Sequence, residues 1–467
     1  MWRQRLSLDV FAGPRPRLLV MVGAVGVGGG LIGAGFIGSI HLLQRALWPD
    51  HWATSTHLFI LVGVGAAVAG LTRVLGNPGD VELLVNNIHV MGGPDDIRDL
   101  RSLIPVALLC ISAGGAMGPE GPMVQTTGSF GAWLAGRWKL SRDDTRILTI
   151  TGMAAGFTVL FGAPLGSAIF ALEILHRRGL QYYEALLPAV LGSLSGYAVY
   201  LAVTNVGLAP IWQFPPLGPL RAVDLVWALA AGVAGAVVSV VFTYLSTGLL
   251  WAFRHLHPLV RPVIGGAALG ALAFWSPYAL TFGEAQINPL VARKALVTIL
   301  IVAAVAKLCG TAVTLSSGWR GGFIIPMFFI GVALGRLSHL LIPSTNEVVM
   351  MAAFMAAINV GVTKTPLGST LVVTEMAGLQ VLPTTLIAAM TALFLTSQIG
   401  LIHTQQERQG AYSESDDATA NGRRPRPVDP EATAAHLGGT TGPNDGNQAG
   451  HNRASPEPER GGATNDR

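Results

Sequence analysis

The chain has 467 residues, of which 51% are apolar and only 12% charged, where a soluble domain carries roughly 25% charged residues. That charge deficit and a mean hydropathy of +0.51 exclude an ordinary cytosolic enzyme. Two cysteines, Cys110 and Cys309, exclude a disulfide scaffold, and 58 glycines without a three-residue period exclude a collagen. What remains is an all-α polytopic membrane protein, because many of its apolar runs are too long for barrel strands.

In chain order, a segment 1–17 comes first, with Arg3, Arg5, Arg15 and Arg17 ahead of the first apolar run. Positive charge at that place predicts a cytoplasmic N-terminus, and the run is too long for the apolar core of a cleavable signal. The transmembrane body is predicted over 18–402, with apolar runs at 18–48, 56–75, 102–117, 121–136, 147–160, 164–176, 184–206, 222–252, 261–280, 295–315, 322–342, 347–362, 366–379 and 382–402. Several are too short to cross ~30 Å of hydrocarbon, which takes about 20 helical residues. Gly and Pro, rather than polar loops, separate them. Broken helices persist in a bilayer only where the freed backbone faces protein or a wet cavity, so the pattern predicts a transporter or channel. From Thr404 onward seven arginines stand against ten acidic residues, which leaves the tail at −3 and the rest of the chain at +7. Residues 403–467 lack a hydrophobic period and are predicted to be a disordered polar tail.

The body repeats itself. Met153-Ala-Ala-Gly, Pro164-Leu-Gly-Ser and Glu173 recur 202 residues later as Met355-Ala-Ala-Ile, Pro366-Leu-Gly-Ser and Glu375. Gly118-Pro-Glu-Gly-Pro-Met123 recurs 204 residues later as Gly322-Phe-Ile-Ile-Pro-Met327. Two halves, about 18–206 and 222–402, therefore share one plan. In transporters built this way the substrate site lies where corresponding broken helices meet near mid-membrane.

Three segments carry candidate chemistry. In Gly114-Gly-Ala-Met-Gly118-Pro-Glu120-Gly121-Pro122, a carboxylate sits between glycines and prolines at a break between apolar runs. A helix N-terminus offers unpaired N–H donors and partial positive charge, hence an anion site without a full cation. Glu120 is read as a tethered anion that fills such a seat and leaves when protonated, against the plainer reading of a helix cap. The repeat partner, Ser316 to Pro326, has Ile324 where Glu120 stands, so its Gly322, Phe323, Ile324 and Ile325 amides are candidate donors to a permeating anion; Gly118 and Gly121 belong to the same set. Third, Gly76-Asn77-Pro78-Gly79-Asp80 is either a surface turn or a loop whose Asn77 donates its side-chain amide to an anion. Glu173 and Glu375, each nine residues after a Pro, read as matched caps or interhelical bonds rather than a titrating path. Gly33-Ala-Gly-Phe-Ile-Gly38 fits a dinucleotide pattern, but it lies inside an apolar helix with no preceding strand. Scattered histidines without ligand spacing, and the lack of a phosphate-binding lysine loop, lead us to expect no metal, no cofactor, no nucleic acid partner and no enzymatic activity.

These motifs resemble the CLC family of chloride channels and proton-coupled chloride transporters, from about residue 18 to 402. Gly118-Pro-Glu-Gly-Pro122 is similar to the family's G-[KR]-E-G-P, which implies that Glu120 is the external gating glutamate. Gly322-Phe-Ile-Ile-Pro326 is similar to G-x-F-x-P, whose amides hold the central anion, with Ile324 in place of Phe. The family's G-S-G-I-P segment aligns with Gly76–Asp80 and sets Asn77 at the central serine. The resemblance implies inverted-topology halves, a homodimer with one pore per subunit, a cytoplasmic C-terminus and an inner (plasma) membrane location. Proton-coupled members carry an internal glutamate directly after the position of Glu173, and here that residue is Ile174. The C-terminal pore tyrosine is also missing, since the corresponding stretch reads Leu401-Ile-His-Thr-Gln405. Without an acid at Ile174 a proton leaving Glu120 has no side-chain relay inward, so the expectation is a passive channel for chloride or a similar monovalent anion. The alternative is an anion/proton antiporter for chloride or fluoride, because the family's fluoride/proton exchangers lack that acid as well.

Overall fold

The structure, a computed structural model, describes residues 16–48, 54–76, 78, 81–93, 99–176, 180–208, 211–292, 296–402, 404 and 405. The chain divides into two units, 1–409 and 410–467, and every described residue belongs to the first. Expectations for segment 1–17, for the tail 403–467 and for Asn77 lie outside the described residues, apart from Pro16, Arg17, Thr404 and Gln405.

Among the described residues there are α-helices and short 3₁₀ turns but no strand. The first half holds α1 (Pro16–Leu47), α2 (Thr54–Leu75), α3 (Val81–Met91), α4 (Leu100–Ser112), α5 (Glu120–Arg137), α6 (Arg142–Phe161), α7 (Pro164–Glu173) and α8 (Leu186–Thr204). The second holds α9 (Ala222–Arg254), α10 (Arg261–Trp275), α11 (Glu284–Ala292), α12 (Val297–Ser316), α13 (Ile324–Leu341), α14 (Glu347–Thr363), α15 (Pro366–Ala377) and α16 (Leu382–Thr396). Packing repeats with the order: α1 lies on α6 and α8 as α9 lies on α14 and α16, and α5 lies on α6 as α13 lies on α14. The contacts α2–α10 and α7–α15 join the halves.

Local chemistry explains the breaks. Ser141 Oγ accepts the Asp144 N–H at 3.1 Å to start α6, and Asn346 Oδ1 accepts the Val348 and Val349 amides at 3.2 and 3.4 Å to start α14. Both helices end on a left-handed residue, Gly162 (φ 60°) and Lys364 (φ 62°), and a proline two residues later opens the next helix. A lysine is a poor choice for that backbone. Lys364 is held there because its buried Nζ donates to Gly361 O at 2.6 Å and to Thr396 O and Oγ1, both at 2.7 Å.

Among the described residues seven helices are long and apolar enough to cross a membrane. At 1.5 Å per residue, α1 and α9, of 32 and 33 residues, run roughly 48–50 Å and so cross at a tilt. Val226, Val233, Val237 and Val241 of α9 are each about half exposed or more, a surface that suits lipid rather than water. Inside, Phe157 of α6 and Phe170 of α7 meet at a 4.9 Å centroid distance, and Phe161 meets Phe328 of α13 at 5.8 Å. This aromatic seam packs one half against the other beside the broken segments.

Candidate functional site

The two broken segments meet face to face. Gly118 N donates to Gly322 O at 2.8 Å and Gly322 N to Gly118 O at 2.6 Å, an isolated antiparallel pair between residues at equivalent places in the repeat. Each loop then enters a helix whose third residue is proline, Pro122 in α5 and Pro326 in α13. Proline in a first turn sacrifices no intrahelical bond. The two N-termini, with their unpaired amides, are thereby brought to one spot.

Glu120 occupies that spot. Its side chain is 1% exposed, and Oε1 accepts the Ile325 N–H at 2.5 Å. Oε2 is buried and has no hydrogen-bond partner among the described residues. The start of α13 has no acid of its own, and the acid that fills it comes from the other half of the chain. The seated carboxylate needs glycine on both sides, because a Cβ on Gly118 or on Gly322 would overlap it.

A cavity of about 300 Å³ adjoins the seat. Glu120, Gly121, Gly322, Phe323 and Ile324 line it, so the structure brings these sequence-predicted residues together around Ile325 N. Ile174, 3% exposed, stands in its wall with Leu401 and Ile402. Among the described lining residues the charged ones are Glu120 and Arg320. Ser246 also lines the cavity, and its buried hydroxyl has no hydrogen-bond partner among the described residues.

Glu173 and Glu375 form a reciprocal clamp. Glu173 at the end of α7 accepts the Leu367 and Gly368 amides at the start of α15, at 3.2 and 2.6 Å. Glu375 near the end of α15 accepts the Gly166 amide at the start of α7, at 2.5 Å. The helices cross so closely that a Cβ on Gly368 would lie 2.5 Å from Phe170 Cα, and one on Gly166 would overlap the Val372 backbone. Both carboxylates thus cap the partner repeat's helix, as their matched positions suggest.

Lys307 of α12 is a feature that motif reading passes over. It is fully buried, donates to Leu280 O at 2.6 Å, Thr281 O at 2.7 Å and Gln286 Oε1 at 3.1 Å, and lies 4.9 Å over the Phe329 ring. Thr281 N in turn donates to Gly114 O at 2.8 Å, so this cation braces the loop that leads to Glu120. Its signal was present as a charge inside the apolar run 295–315.

Helix N-termini from two halves converge on a buried acid beside a cavity within a bundle of apolar helices, the anatomy of a polytopic membrane protein with paired broken helices. Residues 80–397 match the family described as voltage gated chloride channel, and the chain belongs to this CLC family, whose members transport anions across membranes and are not enzymes. It is 28% identical over 378 residues to the chloride/fluoride channel protein of Pseudomonas syringae pv. tomato, covering 75% of this chain and 78% of that one. It is 26% identical over 389 residues to the H(+)/Cl(-) exchange transporter ClcA of Vibrio campbellii, covering 77% and 81%. A crystal structure of a CLC-type fluoride/proton antiporter superposes with a TM-score of 0.74 at 24% identity, over 84% of this chain and 98% of that one. A slow cyanobacterial Cl-/H+ antiporter gives a TM-score of 0.72 at 24% identity, over 82% and 96%. The fold is therefore the all-α, inverted-repeat fold of this family, and the protein is a multi-pass membrane protein.

Proposed function

We propose that this protein is a passive anion channel, for chloride or a similar monovalent anion, in which a permeating ion and the Glu120 carboxylate compete for the amides at the start of α13. The observation that carries the reading is the Glu120 Oε1 contact with Ile325 N, which sets a removable anion on the donors an ion would use. The mechanism is electrostatic. An ion that sheds water in the bilayer needs fixed donors in its place, and the amides of Phe323, Ile324 and Ile325 with that of Gly121 supply them, whereas the Gly118 and Gly322 amides expected to serve are taken by each other's carbonyls. Protonation neutralises Glu120, weakens its hold and frees the seat, so acid on the side that reaches it raises conduction. Aliphatic Ile174 in the cavity wall supplies no acid for a coupled proton, which favours the passive mode.

An exchanger is the second reading, favoured by the exchange-transporter name of the Vibrio campbellii relative. Reversal potentials in proteoliposomes separate the two. A channel follows the chloride Nernst potential whether or not a pH gradient is present, and an exchanger departs from it as the proton gradient changes. A homodimer is part of the proposal. Repeat-equivalent Leu165 and Leu367 are exposed on α7 and α15, and Leu187 and Leu191 of α8 and Met390 and Phe394 of α16 are exposed on the helices packed beside them. Two such faces suit a self-complementary interface. The proposed setting is the inner (plasma) membrane with both termini cytoplasmic, so that the end of α7 at Ile174 faces inward.

A further inference from the structure

At that inward end of α7, three backbone carbonyls are each held by a side chain from elsewhere or from just beyond the helix. His176 Nδ1 meets Leu172 O at 3.1 Å, Gln405 Nε2 donates to Ile174 O at 3.0 Å, and His89 Nε2 meets Leu175 O at 2.8 Å. A carbonyl only accepts, so each imidazole must present an N–H there. For a neutral ring, that selects the tautomer. His89 carries its proton on Nε2 and accepts the Tyr182 hydroxyl on Nδ1 at 2.9 Å, and His176 carries its proton on Nδ1. The three rings pack together, with centroids 5.2 Å apart for His89–His176 and 4.8 Å for His176–Tyr182. None is more than 2% exposed.

The surrounding charge opposes a further proton. From α6, Arg146 lies 4.8 Å over the Tyr182 ring, its Nε donates to Ile88 O at 3.2 Å, and its Nη1 pairs with Asp143 at 2.8 Å. Arg142 of the same helix donates to His89 O at 3.0 Å. Helix α5, also packed on α3, carries only Glu120 at its first residue and exposed Arg137 at its last, and Glu184 in the turn after Tyr182 is exposed. Of the two acids in the first turn of α6, Asp143 and Asp144, Asp143 is paired with Arg146. Burial first, and Arg146 in addition, hold His89 below the ordinary imidazole value.

We propose that His89, His176 and Tyr182 form a proton-operated latch on the inward end of α7, whose release on acidification widens the cavity at Ile174. The inference rests on the anion-channel reading and adds a second, inward pH control separate from Glu120. Burial and the Arg146 charge disfavour a charged His89 in the closed latch, whereas a released His89 binds a proton with the ordinary affinity, near pH 6.5. Release therefore gains ground as the inner pH falls below about 6.5, and closure holds above it. Ile174 shares the latched segment and stands in the cavity wall, so freeing the segment relaxes that wall.

The test uses the full chain carrying Glu120→Gln, so that the gate does not titrate, with anion efflux from liposomes measured as pH is lowered on one side at a time from about 7.5 to about 5.5. The expected result is a rise of about three- to tenfold with acid on the inward side, within the limit of tenfold per pH unit for one titrating group, and no change with acid on the outward side. Adding His89→Gln, which keeps a donor for Leu175 O and an acceptor for Tyr182 but does not titrate, is expected to flatten the response while leaving flux at neutral pH in place. A pH-blind Glu120→Gln protein, or a response that survives both His89→Gln and His176→Gln, overturns the latch and leaves the channel reading standing. Absence of anion flux at every pH overturns the channel reading, and the latch with it.

Discussion

Gly322→Ala tests the seat without touching a titratable group. The new Cβ would sit 3.0 Å from Glu120 Cβ and Cδ and overlap Oε2, while every backbone amide stays in place. The carboxylate must then leave Ile325 N, giving up a bond to a charged acceptor worth ~1.5–3 kcal/mol. At 1.4 kcal/mol per tenfold, the ratio of seated to unseated Glu120 falls by roughly 10- to 150-fold. The assay is chloride efflux from proteoliposomes across a pH series on the side that reaches Glu120, with the pH of the other side held constant. Gly322→Ala is expected to carry high flux at neutral pH with most of the acid activation gone. In a Glu120→Gly background, which removes the Cβ along with the carboxylate, the same substitution is expected to change flux little, because the clash is with the Glu120 side chain. Equal pH dependence in Gly322→Ala and the parent protein would refute the reasoning, and so would an equal effect in both backgrounds.

Other outcomes follow from the same geometry. Conduction in the parent protein should rise as pH falls on the side that reaches Glu120, since protonation discharges the competitor, and Glu120→Ala should abolish that dependence; efflux against pH checks both. Glu173→Ala removes the cap on two α15 amides and should lower stability by ~1–3 kcal/mol, read as a lower Tm in detergent, with anion selectivity unchanged. Gly368→Ala forces α7 and α15 apart and should destabilise by ~1–3 kcal/mol in the same assay. Lys307→Met leaves the Leu280 and Thr281 carbonyls without their donor and should also lower Tm, by an amount reflecting ~1–3 kcal/mol for each group left unsatisfied.

Much of this architecture is legible in the sequence because its punctuation is local. The Gly and Pro residues around Glu120, Gly322, Pro164 and Pro366 dictate breaks wherever the chain goes, and the internal match reveals that the breaks come in pairs. The matched spacing of Glu173 and Glu375 also indicates capping. What the sequence leaves hidden are partners set by the crossing of the halves. Nothing near Glu120 identifies Ile325 N, 205 residues on, as its acceptor site's donor, and nothing near Glu173 points to Gly368. Lys307 reads as one charge in an apolar run until the loop carbonyls fold over it. His89 and His176 look scattered for the same reason, since the helices between them, not their spacing, bring the rings together.

The most direct test of the contested seat is anomalous diffraction from bromide-soaked crystals of the parent protein and of Glu120→Ala. The account predicts a bromide peak against the Phe323–Ile325 amides in Glu120→Ala, and the carboxylate in that place, with no bromide, in the parent at neutral pH. Bromide at those amides alongside a seated Glu120, or no bromide there once the acid is removed, would contradict it.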